Sequence, residues 1–338
     1  MIQSKRDKAT SLEKKFENIV TVIFENSGDA SKEVAQEVAS LIKEKQARKE
    51  VCVLGFATGA SPKELYAELV RLHREEGLSF SNVVGFNLDE YYPMHPDSIN
   101  SYVRFMKELL FDQVDILPEN CHVPDGTMTK VEMTDYCTEY EAKIDALGGI
   151  DLQILGIGGN GHVGFNESGS LENSKTRLVA LDNMTRVDAS GDFSGLRNTP
   201  RIAITLGVKN IMEAKRVILL AWGGRKSGIV KSSVEGEVTS SVPASYLQGH
   251  ENAIFVLDKE ASSQLTRIQS PWLVEKVVWT DDLIRKAVTG LAMKLDRPIL
   301  MLTDDDYIEY GMSDLLAEGG SSYDINIKVF NNQLPTSI

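Results

Sequence analysis

IDLQILGIGGNGHVGFNE, residues 150–167, joins an apolar run to a glycine-rich loop. The apolar run at 152–155, closed by Gly156, has the length and flanks of a buried strand, and the glycines beyond it let the backbone turn sharply and approach a ligand closely. Asn160, His162 and Glu167, three side chains able to hold or steer a proton, follow within the same loop. A lone histidine is more often a hydrogen-bonded structural group. This one stands at the carboxyl end of an expected parallel strand, where open α/β sheets place their ligands, and a carboxylate follows five residues later, so catalysis is the stronger reading.

Gly156-Ile157-Gly158-Gly159-Asn160-Gly161 also fits a dinucleotide fingerprint, with Asp182 at a suitable distance for a ribose. That motif requires a helix next. Residues 162–176 contain Gly164, Asn166, Gly169 and several serines, without a 3.6-residue apolar period, so nicotinamide binding is the weaker reading.

Working outward, residues 1–28 read as a polar N-terminal arm with a short strand at 19–24, and Ser31 opens an amphipathic helix. A buried strand at 51–56 leads into Ala57-Thr58-Gly59-Ala60-Ser61-Pro62-Lys63-Glu64. Ser61 suits an N-cap, Pro62 a first helical position, and Glu64 completes a capping box. The free amides of Thr58, Gly59, Ala60 and Ser61 at a positive dipole end form a cradle for phosphate, although an ordinary strand-to-helix turn looks the same. The next strand, 83–88, ends in Asn87-Leu88-Asp89-Glu90-Tyr91-Tyr92. Adjacent carboxylates are costly to bury unless paired or used, and strand alternation lets only one of Asp89 and Glu90 face a crevice.

Helices are expected from Ser101 and, through a Thr129-x-x-Glu132 capping box, up to Gly148-Gly149. Strands follow at 177–181, 202–206, 217–222 and 253–257, with a short helix at 243–248. Residues 183–200 are polar and offer Arg186, Asp188 and Asp192 at a site edge. Gly223-Gly224-Arg225-Lys226 precedes another helix; a lysine in a first turn opposes the dipole, so Lys226 makes more sense as a ligand contact than as a stabiliser. The alternation of strand and helix predicts an α/β fold: a doubly wound, mostly parallel sheet with helices on both faces, Rossmann-like and three-layered, over residues 29–265. Residues 266–338, with a helix from Thr280 and a strand at 298–302, read as a C-terminal extension packing on the same domain.

At 338 residues and 42% hydrophobic, the chain can bury a sizeable core. Its net charge of −13, from 36 basic and 49 acidic side chains, opposes binding to nucleic acid. Cys52, Cys121 and Cys137 are widely spaced, without metal-ligand cadence, which suits a reducing compartment. No stretch approaches a membrane span, so a cytoplasmic protein without membrane partners is expected.

Taken together and in order, Ala57-Thr58-Gly59-x-Ser61-Pro62, Asn87-Leu88-Asp89-Glu90-Tyr91, Gly158-Gly159-Asn160-Gly161-His162-x-x-Phe165-Asn166-Glu167, Lys226 and Val234-Glu235-Gly236 resemble the glucosamine-6-phosphate deaminase/isomerase family, which shares its fold with the 6-phosphogluconolactonases. The resemblance runs over residues 31–265. Lactonases typically carry Arg where this chain has Tyr91 and lack the Phe165-Asn166-Glu167 ending, so the deaminase side is favoured. The resemblance implies that Asp89 shuttles a proton between C2 and C1 of an open-chain amino sugar, that His162 with Asn160 and Glu167 assists ring opening, and that no metal or redox cofactor is needed. It also places an arginine for the substrate phosphate near the position held here by Gly191. Without it, Lys226 and the amides of residues 58–61 would hold the phosphate, helped by Arg225 or Arg186. Val179 stands where allosterically regulated members have a lysine, so activation by an acetylated amino-sugar phosphate is not expected. A homo-oligomer acting on a small sugar phosphate is expected. The competing readings are a lactonase or non-deaminating sugar-phosphate isomerase, and a catalytically silent sugar-phosphate-binding regulator.

Overall fold

The computed structural model describes residues 15–333, so residues 1–14 of the expected arm lie outside the described residues. The chain divides into two compact units, residues 17–265 and a smaller one from residue 266 onward.

In the first unit, β1 (Val20–Phe24) is followed by α1 (Ser27–Ala47), β2 (Cys52–Phe56), α2 (Lys63–Glu76), β3 (Val83–Asn87), β4 (Asp89–Tyr92) and α3 (Tyr102–Leu109). β5 (Cys121–His122), α4 (Met133–Ala146), β6 (Leu152–Gly156), β7 (Arg177–Ala180), α5 (Asn183–Ala189) and β8 (Ile202–Thr205) come next. α6 (Val208–Met212), β9 (Val217–Ala221), α7 (Ser227–Glu235) and β10 (Ala253–Asp258) complete it.

Seven strands form one sheet in the order β1-β10-β9-β6-β2-β3-β5, and every pairing in it is parallel. Its central strands are buried from end to end, as parallel strands covered on both faces must be; β2 and β9 expose none of their five residues. Helices surround the sheet in the expected three-layer αβα arrangement. From the adjacent pair β2 and β6 the chain runs outward in opposite directions, to β3 and β5 on one side and to β9, β10 and β1 on the other. That reversal is a topological switch point, and the loops leaving the carboxyl ends of β2 and β6 part there to open a crevice.

Several expectations are corrected. Asp89 and Glu90 do not end the third strand of the main sheet. The chain bends at Leu88 and enters a second sheet, three-stranded and antiparallel, in the order β4-β8-β7. Alternation in sequence marks a strand but not the sheet it joins, so 177–181 and 202–206 were legible as strands while their separation from the main sheet was not. The 19–24 segment, read as part of an arm, pairs along its length with β10 as an edge strand. Asn26, rather than a residue near Ser31, starts α1 by accepting from the Asp29 amide at 2.9 Å. Pro62, not Ser61, caps α2, and the Ser61–Glu64 capping box does not form. Thr129 and Glu132 do bond reciprocally, but they close a turn just before α4.

The second unit is helical. α8 (Thr266–Gln269), α9 (Asp281–Leu295), α10 (Asp304–Glu309), α11 (Ser313–Gly319) and α12 (Ser322–Gln333) bury a small core that includes Leu291, Tyr307, Met312 and Leu315. The Tyr307 hydroxyl donates to Asn326 Oδ1 at 2.8 Å, and Asn326 donates to the Leu302 carbonyl at 2.8 Å, so these two buried polar side chains are paired. Residues 298–302 are not a strand. They form one 3-10 turn between the left-handed cap at Asp296 and the Thr303–Asp306 capping box that opens α10. Periodicity alone cannot tell a five-residue apolar run in a strand from one in a turn.

Candidate active site

The loops leaving β2, β3, β6 and β9 surround one cavity of ≈ 610 Å³ at the switch point. Thr58, Gly59, Ala60 and Ser61 line it from the β2 loop, Asp89 from the start of β4, His162 from the β6 loop, and Lys226 from the start of α7. Asp89 and His162 therefore open onto the same space. Gly164, in the His162 loop, lies so close to Asp89 that a Cβ there would sit 3.4 Å from its Oδ2.

Asp89 is 5% exposed and Glu90 1% exposed, and alternation along β4 sends them to different tasks. Glu90 faces away from the cavity: its carboxylate accepts from the amides of Tyr91 at 2.9 Å, Tyr102 at 2.8 Å and Val103 at 3.3 Å, docking the first turn of α3. Asp89 has no such support, and its Oδ1 is buried without a hydrogen-bond partner. Burial, and then the neighbouring Glu90 charge, push its carboxyl up to about 8. A carboxyl titrating so near neutrality can both take a proton and return it.

Asn160 and Glu167 do not line the cavity; they stand behind His162. Asn160 Oδ1 lies 2.8 Å from His162 Nδ1 and accepts from the His162 amide at 3.2 Å, while its Nδ2 donates to Glu167 Oε2 at 2.8 Å. Thr185 Oγ1 at 3.2 Å and Glu167 Oε2 at 3.3 Å also surround Nδ1. Oxygen acceptors on that side hold the ring proton on Nδ1 and leave Nε2 as the free base. For Glu167, burial opposes ionisation but is outweighed by the bonds from His162, Asn160 and Thr185, and the carboxyl falls to about 2. Asn160 thus orients the ring, and Glu167 supplies the negative charge that an amide at position 160 does not.

The loop geometry depends on missing side chains. His162 folds back until its carbonyl accepts from the Gly158 amide at 3.0 Å, and a Cβ at Gly158 would fall 2.1 Å from His162 Cε1. Gly158→Ala must therefore swing the imidazole. We expect about a 10²-fold loss of kcat/KM with the melting temperature nearly unchanged, because a misplacement of about 1 Å suffices for that. Behind the loop, Asn166 donates to the carbonyls of Val163 at 3.0 Å and Leu206 at 2.8 Å, and Phe165 packs against Tyr91 with centroids 5.2 Å apart. Asp182, weighed as a ribose contact, instead caps α5 by accepting from Met184 at 2.7 Å.

Lys226 caps the first turn of α7 at the cavity, where burial lowers its pKa and the nearby Asp188 partly restores it. Asp188 and Asp192 line the cavity from α5 and the turn after it. The helix α5 lies in a stretch that reads as merely polar. Arg186 and Arg225 do not line the cavity, and Arg186 is committed to the carbonyls of Pro200, Leu196 and Thr199. Sequence reasoning also passed over Lys63, Tyr102 and Phe105, which line the same space. The signal for Lys63 was present, since it follows the cradle loop on the first turn of its helix.

Comparison with known proteins agrees with this geometry. Residues 25–256 match the family model of glucosamine-6-phosphate isomerases/6-phosphogluconolactonase. A glucosamine-6-phosphate deaminase-like protein of Bacteroides thetaiotaomicron is 49% identical over 318 residues, 94% of this chain. The chain spans only 48% of that relative's length. A glucosamine-6-phosphate deaminase of Halothermothrix orenii is 45% identical over 244 residues, covering 72% of this chain and 99% of the relative. Among solved structures, a monomeric glucosamine-6-phosphate deaminase superposes with a TM-score of 0.69 at 37% identity, over 72% of this chain and 99% of the other. A 6-phosphogluconolactonase of Trypanosoma brucei, at 21% identity and a TM-score of 0.60 over 74% of this chain and 99% of the other, shares the fold. With the family model spanning most of the first unit and the relatives agreeing across it, this chain belongs to the glucosamine-6-phosphate isomerase/6-phosphogluconolactonase family.

Proposed function

We propose that the cavity deaminates glucosamine 6-phosphate to fructose 6-phosphate and ammonia by ring opening followed by an aldose–ketose shift. The observation that carries this reading is the pair of unlike bases on one cavity: a buried, unpartnered carboxyl at Asp89 and an imidazole whose Nε2 is free at His162. The two halves of the reaction need two such groups.

In the first half, His162 Nε2 takes the proton of the C1 hydroxyl and delivers it to the ring oxygen, while Glu167 balances the transient imidazolium through Nδ1. The product is the open-chain aldehyde with its amine at C2. In the second half, with the C2 nitrogen as ammonium, Asp89 removes the C2 proton, the electrons of that bond form the C1–C2 double bond, and the C1 carbonyl pair moves onto O1 and takes a proton from the ammonium to give an enaminol. Asp89 then returns its proton to C1 as the nitrogen lone pair forms the C2–N double bond. C2 is then an iminium, to which water adds; collapse of the carbinolamine expels ammonia and leaves the ketone. The sum is one sugar phosphate and one water in, one ketose phosphate and one ammonia out. The amides of residues 58–61 and Lys226 hold the phosphate at the helix N-termini.

A lactonase needs only water and a base at an ester carbonyl, and gives no use to a carboxyl that titrates near neutrality beside a second base. Support from relatives points the same way, since the deaminases reach 45% and 37% identity over nearly their whole length, whereas the lactonase at 21% shares the fold alone. Incubation with glucosamine 6-phosphate should release ammonia and fructose 6-phosphate in equal amounts. Hydrolysis of 6-phosphogluconolactone without any ammonia from the amino sugar would replace this reading by the lactonase one.

A further inference from the structure

We propose that Lys63 is a second binding residue for the substrate phosphate, acting beside Lys226 where no arginine lines the cavity among the described residues. The inference deepens the preceding one and rests on a phosphorylated substrate.

Two helices point their N-termini at the cavity, and each carries a lysine there: Lys63 is the first residue of α2, and Lys226 caps α7. A cation at that end of a helix opposes the dipole, and an anion in the cavity would relieve both: Lys226 stands partly buried in the wall and Lys63 exposed at the rim. The two ends are held together. Trp222, just past β9, donates its indole N–H to the Ser61 carbonyl at 2.9 Å. This bond spans the end of β6, the strand between β9 and β2. The cradle loop and the Lys226 turn are thereby one structure.

Lys63 is also placed within it. Its ammonium stands 5.9 Å from the centroid of the Phe105 ring, itself part of the cavity wall on α3. α3 in turn is fixed by the three amide bonds to Glu90. Neither Lys63 nor Lys226 forms an ion pair with a carboxylate among the described residues, whereas Lys45, Lys215 and Lys231 do.

Charge supplies the need. A phosphate monoester carries about −1.5 to −2 near neutral pH. The cavity already holds Asp188 and Asp192, and the field of Asp188 reaches Lys226. One lysine shared with an aspartate leaves a dianion short of counter-charge, and Lys63 is the other lysine lining the cavity.

The test uses the full chain and compares Lys63→Met, Lys63→Arg and Lys226→Met with wild type. Steady-state kinetics on glucosamine 6-phosphate are paired with titration calorimetry of inorganic phosphate. Lys63→Met should raise KM and the phosphate dissociation constant each about tenfold, with kcat retained, as expected for a lost charged hydrogen bond. Lys63→Arg should restore most of both, and Lys226→Met gives the reference loss. Unchanged phosphate affinity and KM in Lys63→Met would overturn the proposal, as would a wild type that binds no phosphate while still releasing ammonia. If wild type releases no ammonia, the proposed reaction fails by itself, and the calorimetry still decides the role of Lys63.

Discussion

Asp89→Asn is expected to lower kcat by about 10³-fold while leaving KM within a small factor of wild type. The amide has the carboxyl's shape, so the cavity keeps its form, but it can neither take the C2 proton nor return it at C1. The same substitution carries a second signature of opposite sign. In the folded protein the Asp89 carboxyl titrates at about 8, because burial and then Glu90 disfavour its charge. In the unfolded chain it titrates near the ordinary value of about 3.9. A raised carboxyl contributes stability that is fully present below the unfolded pKa and is lost as pH rises through the folded one. Between those limits the wild type loses stability with rising pH at this residue, and the neutral amide does not. Asp89→Asn should therefore melt higher than wild type at alkaline pH, with the difference shrinking toward acid pH. A variant that is both inactive and more heat-stable in base identifies a group kept for chemistry. One that is inactive and less stable at every pH would make Asp89 a structural residue.

His162→Gln is expected to cost about 10²-fold in kcat with the cyclic substrate. Gln keeps a hydrogen-bonding side chain behind which Asn160 and Glu167 can remain paired, but it removes the base at Nε2. If the imidazole serves ring opening, the loss is confined to that step. An open-chain amino-alditol phosphate, which has no ring to open, should bind the variant as tightly as wild type. Weaker binding of that compound by an order of magnitude would place His162 in substrate binding instead. Glu167 refines the expectation: its carboxyl, lowered to about 2 by the bonds it accepts, stays charged across the working range and keeps its hold on the ring.

The sequence disclosed the main sheet well and the smaller sheet poorly, and the reason is physical. Strands buried on both faces, such as Cys52–Phe56 and Val217–Ala221, are continuous apolar runs that few other structures accommodate. The β4-β8-β7 sheet is built from short segments, its β4 pairs with a strand more than a hundred residues away, and nothing local in Asp89–Tyr92 names Ile202–Thr205 as its neighbour. Turn chemistry misled in a similar way. Ser61-Pro62-x-Glu64 has the composition of a capping box, yet the Ser61 carbonyl is engaged by Trp222, and the helix begins after Pro62.

The site was legible where function forces unusual chemistry into a loop. Asp89 beside Glu90, and His162 among four glycines, are hard to explain as packing, and the structure brings Asp89 and His162 to one cavity. What the sequence hid was the division of labour. Alternation predicts that one of the two carboxylates leaves the crevice, but only the bonds from Tyr102 and Val103 reveal that Glu90 docks the wall. Arg186 looked available for an anion and is spent on three backbone carbonyls. Lys63, given no role beside the cradle loop, lines the cavity.

If Asp89 carries the proton of C2 to C1 on the way to ammonia release, the label of that proton must follow it. Turnover of glucosamine 6-phosphate deuterated at C2 tests it directly, with ammonia quantified and the ketose phosphate read by NMR and mass spectrometry. The expected result is ammonia equal to ketose, with part of the deuterium found at C1 and the rest lost to water from Asp89. Ammonia accompanied by an aldose phosphate that keeps its deuterium at C2, as direct displacement of the amine by water would give, or ketose formed by Asp89→Asn with the same transfer of deuterium to C1 as wild type, would contradict it.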